Sequence, residues 1–288
     1  TEINKEWNAQ TRTLDRKIGE GECVKYTIEA TAVDRAGNPV DTTKNFVLDT
    51  LKPVVKPSSI YYGNGSKTAV KHLGNGEDLT YYSKEDVTIE TVVTERFTDA
   101  GLIELRLLKD DGNGSKTEVK QSVDEWKKWI EDNKSDYKLE LDQTSVDYNS
   151  NESTWIVRFT IPASEGAYKY SYDVTTTDYA GNETANDAIN FVVDTSAPTV
   201  DGSKITSDGN LVTRGKDENL VYYSSQDVTI TTDVTERFID NNEITLTLQK
   251  DDEIITKSLQ EWLDTQTEND PYRVEVNEKD VKPDSNES

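Results

Sequence analysis

A hairpin pattern written twice constrains this chain more than anything else in it. In YKYSYDV, Tyr168, Tyr170, Tyr172 and Val174 share one face, and Lys169, Ser171, Asp173 and Thr175 share the other. A period of two is the mark of a half-buried strand. Asp178-Tyr-Ala-Gly181-Asn182 follows, with Gly and Asn able to take the positive φ of a tight turn. Ile189, Phe191 and Val193 then alternate again, and Asp194-Thr-Ser-Ala-Pro198 ends the run. Pro198 has no N–H to give to a ladder and restricts Ala197. The same design stands earlier, in YTIEATAVDRAGN from Tyr26 to Asn38 and NFVLDTLKP from Asn45 to Pro53.

The pattern Y-x-Y-x-V-x-x-x-D-x-A-G-N followed by F-V-V-D-T-x-x-P resembles the last two strands of bacterial immunoglobulin-like repeats. The likeness is good over both hairpins and looser between them. The resemblance implies tandem repeats on a secreted or surface-anchored protein, notably of Gram-positive bacteria, used as a stalk. It brings no catalytic motif.

Recurring anchors set the period. Asp34 and Asp178 are 144 residues apart, and Asp49 and Asp194 are 145 apart. Val93-Thr-Glu-Arg-Phe97 returns as Val234-Thr-Glu-Arg-Phe238, a shift of 141, and Lys109-Asp-Asp111 returns as Lys250-Asp-Asp252 with the same shift. Ser122-x-x-Glu-Trp126 returns as Ser258-x-x-Glu-Trp262, a shift of 136; the loss of five falls in the loop holding Gly112 to Lys116. Length change confined to a turn is what a shared framework predicts. Residues 1–50 therefore read as the closing half of an Ig-like repeat, with a further stretch around Trp7 to Ile18. Residues 51–195 read as one complete repeat, and 196–288 as the opening part of another.

Within the complete repeat, Lys52 to Lys56 reads as a short first strand, and the Asn-Gly turns between Tyr61 and Leu79 as a loose hairpin. Val87, Ile89, Thr91 and Val93 alternate, as do Ile103, Leu105 and Leu107, and both strands are expected to face the closing hairpin across a sandwich. Tyr137 to Leu141 and Trp155 to Ile161 bring the count to about seven. The expected fold class is all-β: tandem Ig-like antiparallel β-sandwiches with Greek-key connections, each with a short inserted helix. The helix comes from Ser122-Val-Asp-Glu125, a capping box ahead of Val123, Trp126 and Ile130 at helical spacing; Ser258-Leu-Gln-Glu261 repeats it. Its expected role is to plug the core with a Trp.

Composition excludes several function classes. A net charge of −24 would repel nucleic acid and anionic membrane. No apolar run approaches the roughly 20 residues of a membrane span. The lone Cys23 can form no intrachain disulfide, and it is expected at the surface. Met is absent, and the chain is expected to be an internal piece of a longer protein. His72 is the only histidine, and no nucleophile motif accompanies it. Gly63-Asn-Gly-Ser-Lys-Thr68 and Gly112-Asn-Gly-Ser-Lys-Thr117 put Ser where a phosphate-binding loop needs Lys, so they read as turns. No enzyme is expected, and no cofactor.

Calcium, which takes six to eight oxygens, is the one metal worth weighing. Asp49 and Asp194 sit beside the linkers, and Asp34 and Asp178 begin the hairpin turns, with Glu95 and Glu236 further candidates at the domain poles. The alternative is that Asp178 caps its own turn. Asp147-x-Asn149-x-Asn151-Glu152 is oxygen-rich but lacks the glycine of an EF-hand loop. A Lys–Asn isopeptide link is unsupported, because Asp201 stands at the repeat counterpart of Lys56.

The expected function is a non-enzymatic stalk or spacer on a bacterial surface, its partners the neighbouring repeats of the same polypeptide. Host glycan or protein would be met through a distal domain. One alternative is that the repeats themselves bind a glycan or protein through Trp129. Another is head-to-tail completion of the half-repeats into a fibre, set against truncation of a longer array.

Overall fold

The computed structural model describes residues 24–63, 71–73, 80–111, 114–147, 152–165, 167–217, 220–239 and 241–277. Cys23, the stretch from Trp7 to Ile18 and Asn149 lie outside them, as does the side chain of His72. Two compact units divide the chain, the main break falling between Val193 and Asp194. The fold is all-β with two short α-helices among the described residues.

Alternation builds the first hairpin directly. Strands β1 (Val24–Val33) and β2 (Pro39–Leu48) pair antiparallel from Val24↔Leu48 to Val33↔Pro39 and form a two-stranded sheet of their own. Gly37 closes the turn at φ 90°, a conformation an L side chain rarely takes. Tyr26 stacks on Phe46 at 5.0 Å.

The repeat from residue 51 onward is built around β7 (Val87–Thr94). Val87, Ile89 and Val93 are fully buried on one face, as their spacing predicts. Strand β7 pairs with β3 (Val54–Val55), β4 (Ser59–Tyr62) and β11 (Glu152–Ile161), and β11 pairs with β10 (Lys138–Asp147), making a five-stranded sheet. The second sheet runs β5 (Lys71–Leu73), β6 (Thr80–Ser83), β14 (Ile189–Val193), β12 (Tyr168–Thr177), β8 (Ile103–Asp110), β9 (Lys116–Ser122), with β13 (Glu183–Ala185) also on β12. The two sheets meet in a shared core. Phe159 of β11 stacks on Tyr172 of β12 at 5.9 Å, and Tyr170 stacks on Phe191 at 5.2 Å within the second sheet.

Three expectations need correction. Strand β8 does not face the hairpin across the core: it lies beside β12 in the same sheet, with Thr177 N–H donating to the Leu102 carbonyl. The segment from Tyr61 to Leu79 is not a hairpin closed on itself, because β4 joins the first sheet through β7 and β5 joins the second through β6. The sheets are also not wholly antiparallel. β14 runs parallel to β6, from Asn190↔Thr80 to Val193↔Ser83. Twelve strands, several of only two to four residues, replace the expected seven among the described residues.

Helix α1 (Val123–Asn133) starts where the capping box places it. The Ser122 hydroxyl accepts from Glu125 N–H, and Glu125 returns a carboxylate oxygen to Ser122 N–H. Trp126 is buried, and its indole N–H donates to the Leu105 carbonyl at 3.1 Å. The helix therefore packs its Trp into the core, against Phe159.

The second unit repeats these local pairings. β15 (Thr199–Val200) pairs with β20 (Val234–Thr235), and β16 (Lys204–Ser207) with β19 (Val228–Thr231). β17 (Val212–Arg214) pairs with β18 (Val221–Tyr223), and β21 (Thr245–Lys250) with β22 (Glu253–Ser258). They correspond to β3·β7, β4·β7, β5·β6 and β8·β9. Helix α2 (Leu259–Thr265) carries the same capping box, from Ser258 and Glu261. Each of these four pairs stands as a separate two-stranded sheet.

Candidate functional site

Three buried carboxylates gather where the first hairpin hands over to the complete repeat: Asp49 just after β2, Glu95 just after β7, and Asp178 just after β12. Each sits at a strand end because the strand's alternation stops there and the chain must turn. Asp178 caps its own turn: Oδ1 accepts from Ala180 and Asn182 N–H, and Oδ2 accepts from the Asn182 amide at 2.7 Å. That amide also donates to the Asp49 carbonyl at 3.3 Å, tying the turn to the linker. Glu95 Oε1 accepts from Phe97 N–H, while Tyr179 N–H donates to the Phe97 carbonyl at 2.7 Å. Tyr179 reaches on through its hydroxyl to Asp99. Val47, Asp49, Phe97, Tyr179 and Ala180 line a cleft there.

The electrostatics are unfavourable to charge. Burial pushes the Glu95 carboxyl above the ordinary glutamate range, and the negative charges of Asp49 and Asp178 push it the same way; N–H donation from Phe97 and Arg96 opposes them. Asp49 Oδ1 accepts from Leu51 N–H, but its buried Oδ2 has no hydrogen-bond partner.

This arrangement bears directly on the calcium candidates. Asp34 spends its oxygens as Asp178 does, on Ala36 N–H, Asn38 N–H and the Asn38 amide, and this donation holds its pKa below the usual aspartate value. Asp194 accepts from Ser196 N–H. No group of three or more His, Cys, Asp or Glu is arranged to hold a metal ion among the described residues. The Oδ1 atoms of Asp34 and Asp178 accept from backbone N–H groups and their Oδ2 atoms from the Asn38 and Asn182 amides, so these oxygens serve their own turns. Trp129 is half-buried, edge-on to Trp126 at 5.5 Å and beside Tyr137 at 6.1 Å, so the aromatic cluster under α1 occupies it.

The gathering of Glu95 and Phe97 with the linker was signalled in sequence by the recurrence of Val-Thr-Glu-Arg-Phe. In the second unit the corresponding Asp194, Pro198, Glu236 and Phe238 line a cleft together with Glu243. Glu236 is buried, and its Oε1 accepts from Arg237 N–H.

The raised Glu95 pKa gives a signed prediction. A carboxyl whose folded pKa lies above its unfolded value contributes fully below the unfolded pKa, and that stability is lost as pH rises through the folded value. Glu95→Gln keeps the acceptor for Phe97 N–H and removes the charge. Its thermal midpoint should exceed that of the parent at pH 7, with the difference shrinking as pH falls to about 4. A variant less stable than the parent at neutral pH would refute the assignment. No family model matches the chain, and no curated protein matches it.

Proposed function

We propose that this chain is part of a tandem immunoglobulin-like stalk of a bacterial surface or secreted protein, a non-enzymatic spacer whose immediate partners are its own neighbouring repeats. The observation that carries the reading is the reuse of one set of joints. The stretches that start at Asp49 and at Asp194 each run through Asp-Thr-x-x-Pro, a Val-Thr-Glu-Arg-Phe strand end and a Ser-capped helix with a buried Trp. Catalytic or binding modules vary at their loops, whereas a spacer repeats its joints. The hydrogen bonds from the Asn182 amide to the Asp49 carbonyl and from Tyr179 N–H to the Phe97 carbonyl limit bending at the linker. The charge of −24 keeps neighbouring stalks apart and argues for partners other than nucleic acid or anionic lipid. No helix among the described residues is long and apolar enough to cross a membrane.

Stretching single molecules of the whole chain tests the mechanical role. Residues 51–195 should give one discrete unfolding step that releases about 50 nm of contour, at up to about 3.6 Å per residue. Gradual extension with no such step would exclude a load-bearing repeat.

A further inference from the structure

One side chain ties the segment by which the chain enters the complete repeat to the segment by which it leaves. Asn186 stands between β13 and β14, three residues before the last strand begins. Its amide nitrogen donates to the Lys56 carbonyl at 3.2 Å and to Ser58 Oγ at 2.8 Å. Its amide oxygen accepts from Val174 N–H of β12 at 2.8 Å, and its own N–H donates to the Val174 carbonyl. An Asn amide carries two N–H donors, and both are spent on the entering segment.

The receiving side is a built feature. Val55 pairs with Val93 and Ser59 with Glu90, so Lys56, Pro57 and Ser58 stand opposite Thr91 and Val92 in a β-bulge. Pro57 has no N–H for the ladder, which suits a bulge. Lys56 N–H donates to the Val92 carbonyl at 2.9 Å, and Ser58 Oγ lies 2.7 Å from the hydroxyl of the buried Thr91. The second unit builds the same receiver. Val200↔Val234 and Lys204↔Thr231 enclose an identical bulge, Asp201 N–H donates to the Asp233 carbonyl, and the Ser203 and Thr232 hydroxyls lie 2.6 Å apart.

Entry and exit lie at opposite ends of β7. Val54 pairs with Thr94, the last residue of β7, whereas Val193 pairs with Ser83, just ahead of its start at Val87. Tension between the linkers therefore runs along the strands and draws β3 and β14 in opposite directions. These strands belong to different sheets, and the β3 ladder has two residue pairs. We propose, on the reading of the chain as a stalk, that Asn186 is a load clasp. Its amide couples the entering strand to β12 and to the chain leading into β14, so the two sheets must yield together. Bonds that are broken in the transition state of forced unfolding set its rate, and bonds still intact there do not.

Pulling the whole chain along two axes tests the clasp. In a Cys23→Ser background, handles at Leu51→Cys and Thr195→Cys load the entry and exit strands. Handles at Thr117→Cys and Glu140→Cys load β9 and β10, at the far edges of the two sheets. Asn186→Asp keeps the size and the acceptor for Val174 N–H but removes both donors. Along the first axis it should speed unfolding at constant force by about tenfold. Along the second axis the rate should change by less than about twofold. Ser58→Ala attacks the same bond from the other side and should act in the same direction. The two changes together should fall short of the product of their separate effects. A discrete step whose rate is unmoved by both variants would overturn the clasp and leave the stalk reading standing. Equal acceleration along both axes would also overturn it, marking Asn186 as an ordinary stabilising contact. Extension along the first axis with no discrete step would overturn both.

Discussion

Replacing Trp126 by Ala should lower the stability of the complete repeat by about 3–5 kcal/mol, the range for deleting a large buried aromatic. Three contacts set that size. The indole packs edge-on against Phe159 at 5.1 Å and Trp129 at 5.5 Å, and its N–H satisfies the Leu105 carbonyl in the middle of β8. Truncation opens a cavity under α1 and takes a donor from a buried backbone acceptor at the same time. A single domain is commonly stable by only about 5–15 kcal/mol, so the loss approaches the whole margin. Urea unfolding of the full chain would show it as an early transition. The control is Trp262→Ala. Trp262 holds the same place in the second unit, but its buried Nε1 has no acceptor. The strands below it are open, so its loss should cost markedly less. Equal costs at the two tryptophans would mean that Trp126 is not part of a sealed core.

Asp178→Ala should cost about 2–4 kcal/mol: this carboxylate receives three part-buried hydrogen bonds, each worth at most about 1.5–3 kcal/mol, and the freed donors regain part of that from water. The loss spreads beyond the turn. Without its anchor the Asn182 amide no longer holds the Asp49 carbonyl, so the hairpin side of the joint loosens as well. Asp34→Ala removes the same set of bonds from a solvent-exposed turn and should cost about 1 kcal/mol or less, since exposed groups regain water on losing a partner. Amide hydrogen exchange at Ala180 and Asn182 would read the first, and at Ala36 and Asn38 the second. A larger effect at Asp34 than at Asp178 would contradict this account.

Local chemistry was legible in the sequence. The capping boxes at Ser122 and Ser258, the turn-forming Asp and Gly at both hairpins, and the inward faces of β7 and β12 all depend on residues within a few positions of one another. Sheet membership was not legible. A period of two reports which face of a strand is apolar but not which strand lies beside it, and that ambiguity misplaced β8 and joined β4 to β5. The parallel pairing of β14 with β6 joins residues 110 positions apart, beyond any local signal. Asp173 shows a second failure. Its alternation placed it toward solvent, yet it is buried and paired with Arg106, whose Nε donates at 2.7 Å. Polarity alone does not distinguish a solvated carboxylate from one covered by a guanidinium on the neighbouring strand. The Asp49–Glu95–Asp178 gathering was half visible, since the recurrence marked Glu95 and its position at a domain pole but not the neighbours that raise its pKa.

The parallel neighbour of β6 is the last strand of its repeat to be synthesised. During synthesis β6 therefore waits with a bare edge while more than a hundred residues emerge behind it. Such pairings form slowly because the long loop must close before any contact rewards it. In an array with repeats alike at this strand, the preceding repeat has already delivered a near copy, β2, with the same Asn-Phe-Val core as Asn190-Phe191-Val192. A nascent repeat is thus exposed to capture by its elder neighbour. The order in which the ribosome releases the strands, as much as their final energies, then decides whether each repeat closes on itself.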